Sequence, residues 1–174
     1  TEQETMGGFG MAERIAERLR AAGAVVTLAT ADAAPAPTRF DGVIVGDSIH
    51  AGQHTRELTP YLATHASTLE RLPTALFQVC LTSADRTPEQ LATAGGYVAA
   101  LTRATGCTPD LVARFAGALR YTHYGRLKRA FMRRIAASSG QSTDTSRDHV
   151  LTDWGEVDGF ADDVLLLVRS RQPS

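Results

Sequence analysis

Phe40-Asp41-Gly42-Val43-Ile44-Val45-Gly46, running straight on into Asp47-Ser48-Ile49-His50-Ala51-Gly52-Gln53, is the stretch on which the fold turns. The first half is a short apolar run rich in β-branched residues, with no polar alternation. Such a run suits a strand covered on both faces, as in a parallel sheet. The second half is polar and contains glycine, so it leaves the sheet as a loop. In open α/β sheets the loops beyond the carboxyl ends of the strands are where ligands bind.

The flanking sequence repeats the alternation. Met11, Ile15 and Leu19 recur at fourfold spacing, with Glu13, Arg14, Glu17, Arg18 and Arg20 on the other side, which predicts an amphipathic helix ending at Gly23. Val25 to Ala29 reads as a strand, and Leu58, Tyr61, Leu62 and His65 mark a second helix. Ala75 to Leu81 is another apolar strand, ending in the polar loop Thr82-Ser83-Ala84-Asp85-Arg86. Thr87-Pro88-Glu89-Gln90 carries a capping residue, then proline at the first helical position, so a helix starts there. Leu111 to Leu119 is read as one further strand, and Asp153, with Glu156 three residues on, caps a last helix bearing Val157, Phe160, Ala161 and Val164. Strand and helix alternate throughout, so the expected architecture is α/β with a parallel sheet covered on both faces, in one domain over residues 1–174.

Bulk composition narrows the function. With 174 residues, 43% hydrophobic and 21% charged, the chain has enough apolar content for a proper core. A net charge of −1 argues against a nucleic-acid-binding protein, although no acidic residue occurs from Leu111 to Thr143 while seven Lys and Arg do. Residues 120–136 therefore read as a basic amphipathic helix suited to an anionic membrane surface. Cys80 in an apolar run and Cys107 in a turn form no metal pair and no disulfide framework, which suits a cytoplasmic protein. His50, His54 and His65 lack a carboxylate at a matching offset, so no metal site is expected. His50 stands apart as a candidate catalytic residue, because a histidine in a post-strand loop can exchange protons near neutrality.

Phe115-Ala116-Gly117-Ala118-Leu119-Arg120-Tyr121, Ser139-Gly140, Thr143-Asp144-Thr145 and Thr152-Asp153-Trp154, together with the Ser48-Ile49 step before Gly52, resemble the flavodoxin-like protoporphyrinogen IX dehydrogenase family. The likeness runs from Phe40 to Phe160. It implies a flavodoxin-like three-layer sandwich, bound FMN, and a quinone-linked oxidation of a porphyrinogen in porphyrin biosynthesis, peripheral on the inner face of a membrane. It further implies three flavin-contacting segments: Ser48, Ile49, His50 and Gly52; Leu81, Thr82 and Ser83; and Leu119, Arg120 and Tyr121. The phosphate would lie near Thr1, Thr5, Gly10, Met11 and Ala12, although Met11 and Ala12 stand where the family pattern has a hydroxyl. A non-catalytic interaction module and an FMN electron carrier are the alternatives, and self-association into a homo-oligomer stays open.

The resemblance also raises a topological expectation. In the flavodoxin order the first strand lies between the second and third, yet Thr1 to Gly10 reads as a loop. That slot is expected to be filled by a strand upstream of Thr1, by residues 1–8 as a substitute, or by a partner chain, because unpaired backbone groups beside a core cost roughly 1 to 3 kcal/mol each.

Overall fold

The computed structural model describes residues 6–49, 52–80, 88–116, 118–119, 149–150 and 152–172. In chain order the elements are α1 (Met6–Ala21), a 3-10 turn (Pro37–Arg39), β1 (Val43–Ser48), α2 (Leu58–Leu69), β2 (Thr74–Cys80), α3 (Pro88–Thr105), β3 (Leu111–Ala116), β4 (Ala118–Leu119), β5 (His149–Val150) and α4 (Trp154–Arg171).

Strands β1, β2 and β3 form a parallel sheet in that order, with Val45 opposite Leu76 and Leu76 opposite Val112. Because side chains alternate across a strand, the register assigns each face. Ile44, Ala75, Phe77, Val79, Ala113 and Phe115 meet α1 and α4 on one side. Val43, Val45, Leu76 and Val112 meet α2 and α3 on the other. The result is the expected α/β three-layer sandwich. Each large apolar side chain sealed this way contributes about 1.5 to 3 kcal/mol. On the α1 and α4 face the rings of Phe77, Phe115 and Phe160 stack edge to tilted at 5.8 to 6.2 Å between centroids, a spacing at which aromatic pairs attract.

Helix ends follow the chemistry of their residues. Gly23 takes φ +89°, and the Ala24 and Gly23 amides donate back to Leu19 and Arg20 carbonyls at 3.0 and 2.9 Å, closing α1 in a Schellman turn. Asp153 accepts from the Gly155 and Glu156 amides at 2.9 and 3.4 Å, the N-cap read from sequence. Helices α1 and α4 are bolted together by two forked ion pairs: Arg14 to Asp158 at 2.7 and 2.6 Å, and Arg18 to Asp162 at 2.9 and 2.8 Å. The two pairs advance four residues along each helix in the same sense, so the helices run parallel. Each guanidinium holds its partner carboxyl below the usual carboxylate range.

Three sequence expectations are corrected. Val25 to Ala29 is not a strand: that segment carries no regular structure, and Val25 is 99% exposed while Ala24 and Val26 rest on the core. Its β-branched composition is overridden because no strand among the described residues pairs with it. The run from Leu111 to Leu119 is two elements. Leu111–Ala116 joins the parallel sheet, whereas Ala118–Leu119 pairs antiparallel with His149–Val150. Finally, the opening segment is not all loop, since α1 is already helical at Met6. Among the described residues nothing pairs with the outer edge of β1.

Candidate functional site

The carboxyl ends of β1, β2 and β3 lie along one rim, since all three strands are parallel. At that rim the apolar face beneath α2 and α3 turns polar. One step past Val45, Leu76 and Val112, on the same face and in register, come Asp47, Gln78 and Arg114. Asp47 and Gln78 are each 1% exposed.

Asp47 organises the loop that follows β1. Its Oδ1 accepts the Thr55 amide at 3.0 Å, and its Oδ2 lies 2.5 Å from His54 Nδ1 and accepts Gln78 Nε2 at 3.3 Å. The Ser48 amide donates to Thr55 Oγ1 at 3.3 Å, so the departing and returning ends of the loop are tied to each other. The Ile49 amide donates to the Val79 carbonyl at 3.0 Å, carrying the β1 to β2 ladder one residue beyond the strand. Gly52 takes φ +78°, a conformation that favours glycine, and a side chain there would approach Tyr97 Oη to 3.6 Å. Tyr97, on α3, also meets the His54 ring edge to face at 6.2 Å. The Arg114 guanidinium lies against α3 beside Gly95, where a Cβ would come within 3.8 Å of it.

Three polar atoms in this row are buried and lack a hydrogen-bond partner among the described residues: His54 Nε2, Gln78 Oε1 and Arg114 Nε. Buried unpaired groups of this kind cost free energy, and native structures hold few of them. A parallel-sheet rim with orphaned polar atoms and a pinned, glycine-containing loop has the chemistry of a polar planar ligand's seat. Arg114 Nε offers a donor and Gln78 Oε1 an acceptor there, and a rim with both fits a flavin.

The residues anticipated from sequence fall as follows. Ser48 and Ile49 are half-buried at the end of β1, and Gly52 is exposed in the loop that follows. His50, Leu81, Thr82, Ser83, Arg120 and Tyr121 lie outside the described residues, as do Thr1, Thr5 and the basic segment 120–136. Leu119 sits in β4, one short step past β3. Gly10, Met11 and Ala12 lie in the second turn of α1, where amides already donate to carbonyls four residues back. Met11 is moreover 2% exposed in the core shared with α4. Amides still free at this helix start belong to the turn beginning at Met6.

His54, Gln78 and Arg114 were not singled out from the sequence. The signal for Gln78 and Arg114 lies in phase: each of the three apolar strands VIVGDS, TALFQVC and LVARFA carries a polar residue two positions after an apolar one on the same face, Asp47 after Val45, Gln78 after Leu76 and Arg114 after Val112. Cys107 is a buried thiol packed with the α2 and α3 core, pushed up in pKa by burial and, to a lesser extent, by the Asp110 carboxylate. It is remote from this rim chemistry, consistent with a core role. Among the described residues no cluster of His, Cys, Asp or Glu is set to hold a metal ion. No helix among them is long and apolar enough to cross a membrane.

Comparison with known proteins bears on the same rim. Residues 10–146 match the model of the flavodoxin domain. Over 128 residues the chain is 34% identical to a protoporphyrinogen IX dehydrogenase [quinone] of Leishmania major, a match covering 74% of this chain and 55% of that protein. It is 32% identical over 128 residues to the protein of the same name from Escherichia coli K12, covering 72% of this chain and 68% of that one. The chain thus spans about half the length of the first relative and two thirds of the second. No solved structure matches it.

Proposed function

Because the chain belongs to the flavodoxin-domain family, we propose that it is an FMN-dependent oxidoreductase that oxidises a porphyrinogen and delivers the electrons to a quinone. The observation that carries this reading is the identity of about one third to two quinone-linked protoporphyrinogen IX dehydrogenases, over 128 residues. The parallel sheet, with its polar carboxyl rim and pinned loop, supports it independently.

In this reading FMN supplies the redox chemistry, its planar ring cycling between oxidised and reduced forms. The protein positions that ring. The backbone of Ser48 and Ile49 is held to the sheet, and Gly52 lets the chain come close without a side chain in the way. The family likeness adds His50, Leu81, Thr82, Ser83, Leu119, Arg120 and Tyr121 as further walls, with His50 placed to move protons. The phosphate is assigned to the amides at the start of α1, a helix terminus suited to anions. Oxidation of a porphyrinogen to a porphyrin releases six electrons and six protons, so three two-electron quinones are reduced per turnover. The basic segment 120–136 would bring the protein to the lipid surface where quinones reside.

The test begins with colour. The protein, incubated with FMN and freed of excess, is expected to retain flavin absorbance that is released on denaturation, and to reduce a soluble quinone analogue in the presence of protoporphyrinogen IX. A protein that holds FMN but does not turn over the porphyrinogen is an electron carrier. Absence of FMN uptake, both by this chain and by one extended upstream with a strand, refutes the reading and leaves the interaction module.

A further inference from the structure

We propose that Asp47 and His54 form a clamp that fixes the two ends of the loop after β1, at Ser48 and at His54–Thr55, for binding of the flavin, with His54 as a positioning residue. The inference rests on the FMN reading above and assigns a role to residues outside the family motif. Four hydrogen bonds carry it. Thr55 N–H and His54 Nδ1 occupy the two oxygens of one fully buried carboxylate, Gln78 Nε2 adds a third donor, and Ser48 N–H closes the loop base onto Thr55 Oγ1. With Nδ1 donating to Asp47, the imidazole is fixed in orientation, and Tyr97 seals its edge.

The row is a poor choice for stability alone. An apolar continuation of Val45, Leu76 and Val112 would bury the same area with no orphaned atoms, and replacing buried polar groups by well-packed apolar ones is often neutral or stabilising. Departures from local consistency concentrate where a protein does its chemistry. Here the departure sits directly beneath the one rim loop the described residues contain in large part. Asp47 and Thr55 tie the departing end of that loop, at Ser48, to its returning end, at His54 and Thr55.

The experiment measures FMN dissociation by quenching of flavin fluorescence, with the apoprotein melting midpoint recorded beside it. His54→Ala removes the donor to Asp47. His54→Asn keeps an N–H at the Nδ1 position. The expected result is at least tenfold weaker FMN binding for His54→Ala and binding within threefold of wild type for His54→Asn. Equal binding by wild type and His54→Ala overturns the clamp, and so does equal weakening by both variants. Should His54→Ala not fold, Thr55→Val carries the test: it removes only the acceptor for Ser48 N–H, at least threefold weakening is expected, and unchanged binding overturns the proposal. A wild-type protein that takes up no FMN sinks the functional reading itself. Wild-type binding with indifferent variants sinks this inference alone.

Discussion

Gly46→Ala tests the packing that sets the rim. Gly46 lies in β1 directly across from Phe77 in the sheet register. A Cβ built there would stand 2.4 Å from Phe77 Cζ and 2.9 and 3.0 Å from the neighbouring ring carbons. Comfortable carbon contacts begin near 3.5 Å, so the ring would have to withdraw by roughly 1 Å. It has nowhere to go: Phe77 is 2% exposed and boxed by Phe115 and Phe160 at 6.0 and 6.2 Å between centroids. Overpacking of this type costs about 1 to 3 kcal/mol. Removing a strand glycine recovers about 0.5 to 1 kcal/mol. The difference spans about 0 to 2.5 kcal/mol, and because the ring is boxed in the upper part is expected, about 1 to 2.5 kcal/mol or roughly 2 to 10 °C in Tm for a chain of this size. Thermal unfolding followed by circular dichroism reads it directly. The double-mutant cycle with Phe77→Leu is the sharper measurement, because a smaller side chain relieves the clash and the two changes become non-additive by about 1 kcal/mol. A neutral or stabilising Gly46→Ala, or strict additivity with Phe77→Leu, refutes the reasoning.

Two further outcomes follow from the helices. Asp158 and Asp162 have folded pKa values below their unfolded ones, so the stabilisation from the Arg14 and Arg18 pairs is present above the unfolded carboxylate value near pH 4 and is lost as pH falls through the lower folded values. The gap in Tm between wild type and the double variant Asp158→Asn, Asp162→Asn is expected to be open at pH 7, narrower in high salt and progressively smaller as the pH falls below the unfolded carboxylate value; a gap that does not shrink on acidification contradicts the assignment. Asp153→Ala removes the cap on α4 and is expected to cost about 1 kcal/mol in a denaturant titration, against a few tenths for Asp153→Gly.

The helices were readable because their cause is local. Met11, Ile15 and Leu19 state a period that packing against α4 then uses, and Gly23 and Asp153 announce their ends through backbone chemistry that needs no distant partner. Strands depend on neighbours, and there legibility falls. Val25 to Ala29 has strand composition but no strand beside it among the described residues, and Leu111 to Leu119 is apolar but for Arg114 yet divides between two sheets. The rim was half legible. Ser48, Ile49 and Gly52 announce a loop after a buried strand, whereas the partners of Asp47 become visible only once registers bring Gln78 and Arg114 alongside it and the chain folds His54 back.

The two guanidinium forks join residues 144 positions apart, from the first helix to the last. On a ribosome, α1 therefore emerges long before the helix that completes its side of the sheet, and Phe77 and Phe115 arrive while α4 is still unmade. Until α4 is made, the part of that face which α1 does not cover is bare, a surface for chaperones or for clumping with its neighbours. The final eighteen-residue helix acts as the lid of this assembly line, and a chain stalled before Trp154 is expected to stay sticky however well its first half has formed.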